Sequence, residues 1–324
     1  MTVRALVTAP YVGEIGWELM SWQGRVRRVF ARGRFDRLIV LGAAGRSEFY
    51  VDMPLDYRTV DLVALPGDPY EDHRVMGDSF EPLPADAIRA AVREPVETTV
   101  EQLRSAGWEV QTLWPAYTGR FWPCDNRYQE FVRFHRPPPD PLPAPWVVLI
   151  QRTRSFGLKN WTPADWAELG GRLDDRGINT SIFPCDSRAA IEVLSACDLA
   201  VGQSTGGLHL AALCSCPRVV WSGHQYLCTS REMTNRQRYE TWWNPFGAPV
   251  QVHEVTQLPP PAEAAEQVVR ALEAIGRRTG SGASRIAFRA KWAVRSWLVR
   301  QVIQNGVYAR WPWPIQRWVR YKLL

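Results

Sequence analysis

Several signatures are missing from this 324-residue chain, and each absence removes a class of function. Its six cysteines, Cys124, Cys185, Cys197, Cys214, Cys216 and Cys228, form no Cys-x-x-Cys pair. The close pair Cys214 and Cys216 lies beside apolar residues, which suits buried free thiols better than a metal site. No apolar run reaches the length that crosses a bilayer, and Glu14 and Glu18 interrupt the first twenty residues. Neither a transmembrane anchor nor a signal peptide is therefore expected, and the cytoplasm is the expected compartment. No His and Asp partners for Ser204 are visible in a nucleophile-elbow setting, which disfavours acyl transfer. Acid is absent from the last fifty residues: all 33 carboxylates lie at or before Glu273, and eleven cations follow it. The formal net charge of +6 thus divides into an acidic body and a basic tail, unlike a uniformly basic nucleic-acid binder, and no nucleic-acid partner is expected.

What is present is globular. A composition of 46% hydrophobic and 22% charged residues rules out disorder throughout, and the length suits two domains of about 150 residues. The stretch VRALVTA (3–9) reads as a buried strand. YVGEIGWELMSWQGRVRRVF (11–30) reads as a glycine-bearing turn that becomes a helix, with Leu19, Trp22, Val26, Val29 and Phe30 at helical spacing. RLIVLGA (37–43) follows as a second strand, completing a β-α-β unit and implying a parallel sheet. Residues 52–84 read as loops around one strand at 60–66. A helix broken near Pro95 is expected over 85–107, a strand over 108–114 and an amphipathic helix over 126–136. PPPDPLPAP (137–145) can hold neither a helix nor a central strand, and marks a linker. The alternation then restarts: strand 146–151, helix 163–176, strand 178–183, helix 187–197, strand 198–202, a turn and helix, strand 218–223, and a last helix over 261–278. The expected fold class is α/β, with two Rossmann-like domains (1–136 and 146–278) facing a central cleft, and a basic helical tail (279–324).

The chemistry gathers at GQSTGGLHLAALC (202–214). A strand runs into Gln203, Ser204, Thr205, Gly206 and Gly207, and an apolar helix follows. Glycines let backbone N–H groups approach an anion, and the helix start adds orphan donors and partial positive charge, so a diphosphate fits there. An ordinary βα turn with Ser204 or Thr205 as a cap fits the same residues. After strand 146–151, Arg152, Arg154 and Lys159 share a loop that leaves the same sheet edge, positioned either to meet that diphosphate from a second side or to be solvated. His209, one turn inside the helix, either bonds a ligand or packs. In the first half Glu14 lies in the turn GEIG (13–16), where a carboxylate serves either as a general base or as favourable charge at a helix start; for Glu18, one turn on, the structural role is favoured.

These residues together resemble the GT-B glycosyltransferases, and most closely the lipopolysaccharide heptosyltransferase family. Lys159-Asn160-Trp161-Thr162-Pro163 resembles the family's KxWP stretch, Ser204 to Leu213 is similar to its DTGxxHLAAAL stretch, and Gly13-Glu14 resembles its glycine-acid turn. Ser204 replaces the acid of DTG, and Glu14 replaces Asp, as in a divergent branch. The resemblance implies an inverting transfer of sugar from a nucleotide-sugar donor to a glycan or lipid-linked acceptor. Glu14 is the implied base and His209 a catalytic candidate, with Gly13 and Glu18 on the acceptor side. Arg152, Arg154, Lys159, Ser204, Thr205, Gly206 and Gly207 are implied around the diphosphate. No Asp-x-Asp occurs, so no metal or other cofactor is expected. A scaffold that keeps the fold without catalysis, and a fucosyltransferase-like or epimerase-like sugar-nucleotide enzyme, are the competing readings.

The acid-free segment 284–324 carries Trp292, Trp297, Trp311, Trp313 and Trp318, with Phe288, Trp292, Val299 and Ile303 spaced to share a helix face. Arginine flanks with interfacial tryptophans suit an anionic membrane surface, which would place the protein peripherally on the inner face of the cytoplasmic membrane. A helix that packs back onto the first domain is the alternative.

Overall fold

A computed structural model describes residues 2–61, 85–115, 129–136, 138–152, 160–223 and 234–279. These fall into two compact units, one holding 2–61, 85–115 and 129–132 and the other the remainder, so the Pro-rich stretch belongs to the second unit. The first unit contains β1 (Arg4–Thr8), a helical stretch made of α1 (Ile15–Trp17), a π-helical segment (Glu18–Trp22) and α2 (Gln23–Gly33), then β2 (Arg37–Gly42), β3 (Leu55–Thr59), α3 (Ala85–Ala91), α4 (Arg93–Ser105) and β4 (Glu109–Leu113). The second contains β5 (Trp146–Ile150), α5 (Pro163–Asp174), β6 (Asn179–Ile182), α6 (Ser187–Ala196), β7 (Leu199–Gln203), α7 (Gly206–Leu213), β8 (Arg218–Ser222), α8 (Asn235–Glu240), β9 (Val250–Glu254) and α9 (Pro261–Thr279).

Both sheets are parallel throughout, as the two β-α alternations require. The first has the order β3-β2-β1-β4 and the second β6-β5-β7-β8-β9. Continuous apolar strands such as WVVLI and LAVGQ are buried at every residue, as expected where helices cover both faces. Trp166, Leu169 and Leu173 of α5 and Ala264, Ala265 and Val268 of α9 pack on Val147, Leu149, Val201 and Val219. In the first unit Val96, Val100 and Leu103 of α4 cover Ala5, Val7, Ile39 and Leu41. Each buried Leu or Val contributes about 1.5–3 kcal/mol, against about 1 kcal/mol for a helix cap, so packing anchors α5 more firmly than the capping box of Thr162 and Asp165.

Each sheet has one place where the strand order reverses. In the first unit the chain steps from β1 outward to β2 and β3, and β4 returns to the other edge of β1. In the second it steps from β5 to β6, and β7, β8 and β9 build on the other edge of β5. Loops on the two sides of such a point diverge and leave a crevice at the carboxyl ends of the strands. The crevices therefore lie between the loops after β1 and β4, and between those after β5 and β7.

Two local expectations are corrected, and two elements are added. Residues 129–136 are not helical: Glu130 N–H bonds Gly24 C=O at 2.8 Å, Phe134 N–H bonds Leu213 C=O at 3.0 Å, and Arg136 N–H bonds Ser195 Oγ at 3.1 Å. A backbone committed to partners so distant in sequence has no helical ladder to close. The strand expected at 60–66 lies instead at Leu55–Thr59, where half-exposed LDYRT pairs along β2; Val60 and Asp61 are outside any strand, and 62–66 fall outside the described residues. Finally, α8 and β9 were not anticipated, although Thr234 and Gln237 form a capping box that marks the start of α8 in the sequence.

Candidate functional site

In the second unit β7 ends at Gln203, and Ser204 and Thr205 turn the chain into α7. Ser204 N–H bonds Trp221 C=O at 3.1 Å, which ties the turn to β8. Thr205 is the N-cap residue, in extended conformation, and its side chain does not cap the helix, so α7 opens with donors its own geometry leaves unused. A Cβ on Gly207 would sit 2.8 Å from Ile150 Cγ2 and 3.2 Å from Phe183 Cε1. The glycine thus lets the helix start press against the end of β5, across the crevice floor where Ile150 stands opposite Gly202.

The crevice's other wall begins at Gln151 and Arg152. Arg152 is 8% exposed, and its Nη1 lies 3.4 Å from Asn160 Oδ1. The turn of Ser204, Thr205, Gly206 and Gly207 and the loop that begins with Arg152 therefore leave neighbouring strands at one switch point. Arg154 and Lys159 lie outside the described residues.

Beneath the turn is a packed aromatic and cationic group. Tyr239 of α8 is fully buried, and its phenol oxygen lies 2.9 Å from Ser204 Oγ. The His209 imidazole stacks on the Tyr239 ring with centroids 5.4 Å apart, and meets the edge of Trp243 at 4.7 Å. Arg218 of β8 is 1% exposed; its Nη1 donates to Leu208 C=O at 3.3 Å and Trp243 C=O at 3.1 Å, and its guanidinium lies 5.8 Å from the Tyr239 ring centre. No carboxylate pairs with it among the described residues, and burial pulls its pKa down to about 10, so it remains charged at neutral pH. Tyr239, Trp243 and Arg218 were not among the residues singled out from sequence. The signal for Tyr239 and Trp243 is an aromatic run, YETWW, behind a capping box, whereas Arg218 opens the strand RVVWS with no signal of its own.

In the first unit Gly13 and Glu14 lie between β1 and α1, on one lip of the other crevice. Gly13 has φ 145°, a conformation that disfavours any side chain. Glu14 is half-buried and is the N-cap of α1; its carbonyl accepts from Trp17 and Glu18 N–H at 3.0 and 3.3 Å, while its carboxylate does not cap the helix. Glu18, 3% exposed, pairs with Arg46 and accepts from Tyr50 Oη at 3.0 Å. Burial opposes the charge of Arg46, but the Glu18 carboxylate outweighs it and the guanidinium pKa ends above its ordinary value. Burial first and Glu18 second hold the Tyr50 phenol well above its usual range. Arg27 of α2 adds bonds from its Nε and Nη2 to Asp52 at 2.9 and 2.6 Å, and another to Phe49 C=O. Glu18 is therefore part of a buried ionic layer with Arg46 and Tyr50, in the π-helical segment that follows Glu14.

Among the described residues no group of three or more His, Cys, Asp or Glu side chains is arranged to hold a metal, and no helix is long and apolar enough to cross a membrane. Neither a scan of protein-family models nor a search of curated proteins finds a match. Among solved structures, the E. coli heptosyltransferase WaaC with ADP is similar at 14% identity, over 83% of this chain and 100% of its own, with a TM-score of 0.43. A glycosyl transferase family 9 protein from Veillonella parvula is similar at 10% identity, over 85% and 98%, with a TM-score of 0.47. The iron-containing dodecameric glycosyltransferase TibC from enterotoxigenic E. coli is similar at 18% identity over 72% of this chain, with a TM-score of 0.38; the match spans 62% of the TibC chain. All three likenesses are distant.

Proposed function

We infer that the chain is a glycosyltransferase of the GT-B type that takes a nucleotide-sugar donor and glycosylates a hydroxyl of a glycan or lipid-linked acceptor. The observation that carries this reading is topological: the glycine turn at 204–207 and the acidic turn at 13–14 each leave a parallel sheet at the point where its strand order reverses. In this reading the sugar donor's diphosphate docks on the open N–H groups of α7. Thr205, Gly206, Gly207 and the Ser204 hydroxyl act from one side, and Arg152 acts from the other together with Arg154 and Lys159 of its loop. These groups stabilise the charge that grows on the diphosphate as it departs. Glu14 removes the acceptor proton as the new glycosidic C–O bond forms; the bond from the anomeric carbon to the phosphate oxygen breaks on the opposite face, and the diphosphate leaves with its electron pair, inverting the centre. The helix-start donors and the arginines supply the positive charge for this step, so the reaction is proposed to be metal-independent. Gly13 gives the turn its shape, and His209 supports the turn through packing.

The test is a thermal-shift panel of UDP-, GDP-, ADP- and TDP-sugars, followed by turnover of Glu14→Gln with the sugar donor that responds. A ligand at a hundred times its Kd stabilises the fold by about 2.7 kcal/mol, enough for a clear shift. Glu14→Gln is expected to abolish turnover while leaving affinity for the sugar donor intact. Normal turnover by this variant removes Glu14 as the base. A panel with no response favours the scaffold reading, for which Ser204 in place of an acid is the specific observation.

A further inference from the structure

We propose that Tyr239 is a positioning residue for the sugar-nucleotide site: its phenol holds the Ser204 hydroxyl so that the serine's own proton points at the bound diphosphate. This rests on the reading of the 204–207 turn as the diphosphate dock. A phenol removed from water is stabilised by a hydrogen-bond partner, and Ser204 Oγ lies 2.9 Å from the phenol oxygen of the fully buried Tyr239, close enough for either hydroxyl to donate. Ser204 is only half-buried. When Tyr239 donates, Ser204 Oγ has accepted and keeps its single proton for an acceptor beyond the protein. The pair is thus a neutral hydroxyl relay that presents one aimed donor to an anion.

The ring is held where such aiming is possible. His209 stacks on it with an interplanar angle of 20°, Trp243 meets it edge-on at 5.0 Å, and the Arg218 guanidinium lies 5.8 Å from its centre. Arg218 also bonds Leu208 C=O within α7 and Trp243 C=O, so one buried cation ties the helix that carries the dock to the segment that follows Tyr239. Its Nε and Nη2 have no hydrogen-bond partner among the described residues, and no carboxylate offsets its charge there. Positive potential beneath the turn, together with an aimed hydroxyl, suits a diphosphate and would be wasted on a neutral ligand.

The test uses the full chain and the nucleoside diphosphate whose sugar stabilises the wild type in the panel, with Kd measured by calorimetry for wild type, Tyr239→Phe, Ser204→Ala and the double variant. Tyr239→Phe keeps the ring packing and removes only the phenol oxygen. It is expected to weaken binding about tenfold, the equivalent of one charge-assisted hydrogen bond, with an unchanged melting temperature. Ser204→Ala should lose at least as much, and the double variant no more than Ser204→Ala, because the two hydroxyls act as one unit. In turnover, Tyr239→Phe should raise KM for the sugar donor and also lower kcat, because the Ser204 donor meets the charge that grows on the departing diphosphate. Additive losses, or an unchanged Kd for Tyr239→Phe while Ser204→Ala weakens binding, overturn the positioning role. Equal diphosphate affinity in wild type and Ser204→Ala instead overturns the placement of the diphosphate on this turn, a distinct result.

Discussion

Gly207 shows how closely the crevice is built, because its missing side chain is what lets α7 begin against β5. The atoms a Cβ would meet belong to Ile150, whose branched side chain is 1% exposed, and to Phe183. Ile150 has no open space to move into, so Gly207→Ala forces a shift of the helix start. Overpacking of this kind costs about 1–3 kcal/mol. We expect Gly207→Ala to lower stability by that amount in urea denaturation, and to weaken nucleotide binding because the N–H groups at Gly206 and Gly207 move with the helix. The residue types of the turn could be read from sequence, since small hydroxyl and glycine residues before an apolar helix carry their own signal. Tyr239 could not, because its partner Ser204 lies 35 positions away and no local pattern links them. The Glu18–Arg46 pair was hidden for the same reason, across 28 positions.

At the scale of elements, β9 is where stability should depend on pH. Burial lowers the pKa of His253 below the ordinary histidine value; Arg236 of α8 and Arg270 of α9 lower it further, and Glu263 of α9 partly opposes them. A depressed folded-state pKa means that the unfolded chain takes up the proton first as pH falls. The associated stability is therefore present above about pH 6.5, the unfolded value, and is lost as pH falls through the lower folded value. We expect His253→Asn to flatten the acid side of the stability curve below about pH 6.5, measured by urea denaturation at stepped pH. Equal slopes in wild type and variant would remove His253 as the cause. Elements with their own periodicity or caps, such as β1, β5, α5 and α9, were legible, and α5 carries both Pro163 at its start and a capping box. The segment 129–136 was not, because its amphipathic pattern is satisfied by backbone bonds to Gly24, Leu213 and Ser195, which no local reading contains.

At the scale of the whole molecule, charge separates along the chain more sharply than any folded element does. The eleven cations after Glu273 are accompanied by five tryptophans and no acid, and residues 280–324 lie outside those the structure describes. Near an anionic bilayer each Lys or Arg contributes about 1 kcal/mol, and on that ground we propose that this segment attaches the protein reversibly to such a surface. We expect full-length protein to float with anionic vesicles at low salt and to be released as salt screens the charge, while a chain truncated after Gly282 stays in solution. Equal flotation of the two would end the membrane proposal.

The sequence by itself determined the α/β class, the parallel strands and the glycine turn with its helix. Those depend on hydrophobic period, turn chemistry and helix-start residues within a few positions of one another. Only the tertiary structure decided which loops share a switch point, that Glu18 is committed to Arg46, and that Tyr239 reaches Ser204. Strand order and buried polar pairing join residues tens of positions apart, and nothing local in the chain encodes which of them will meet.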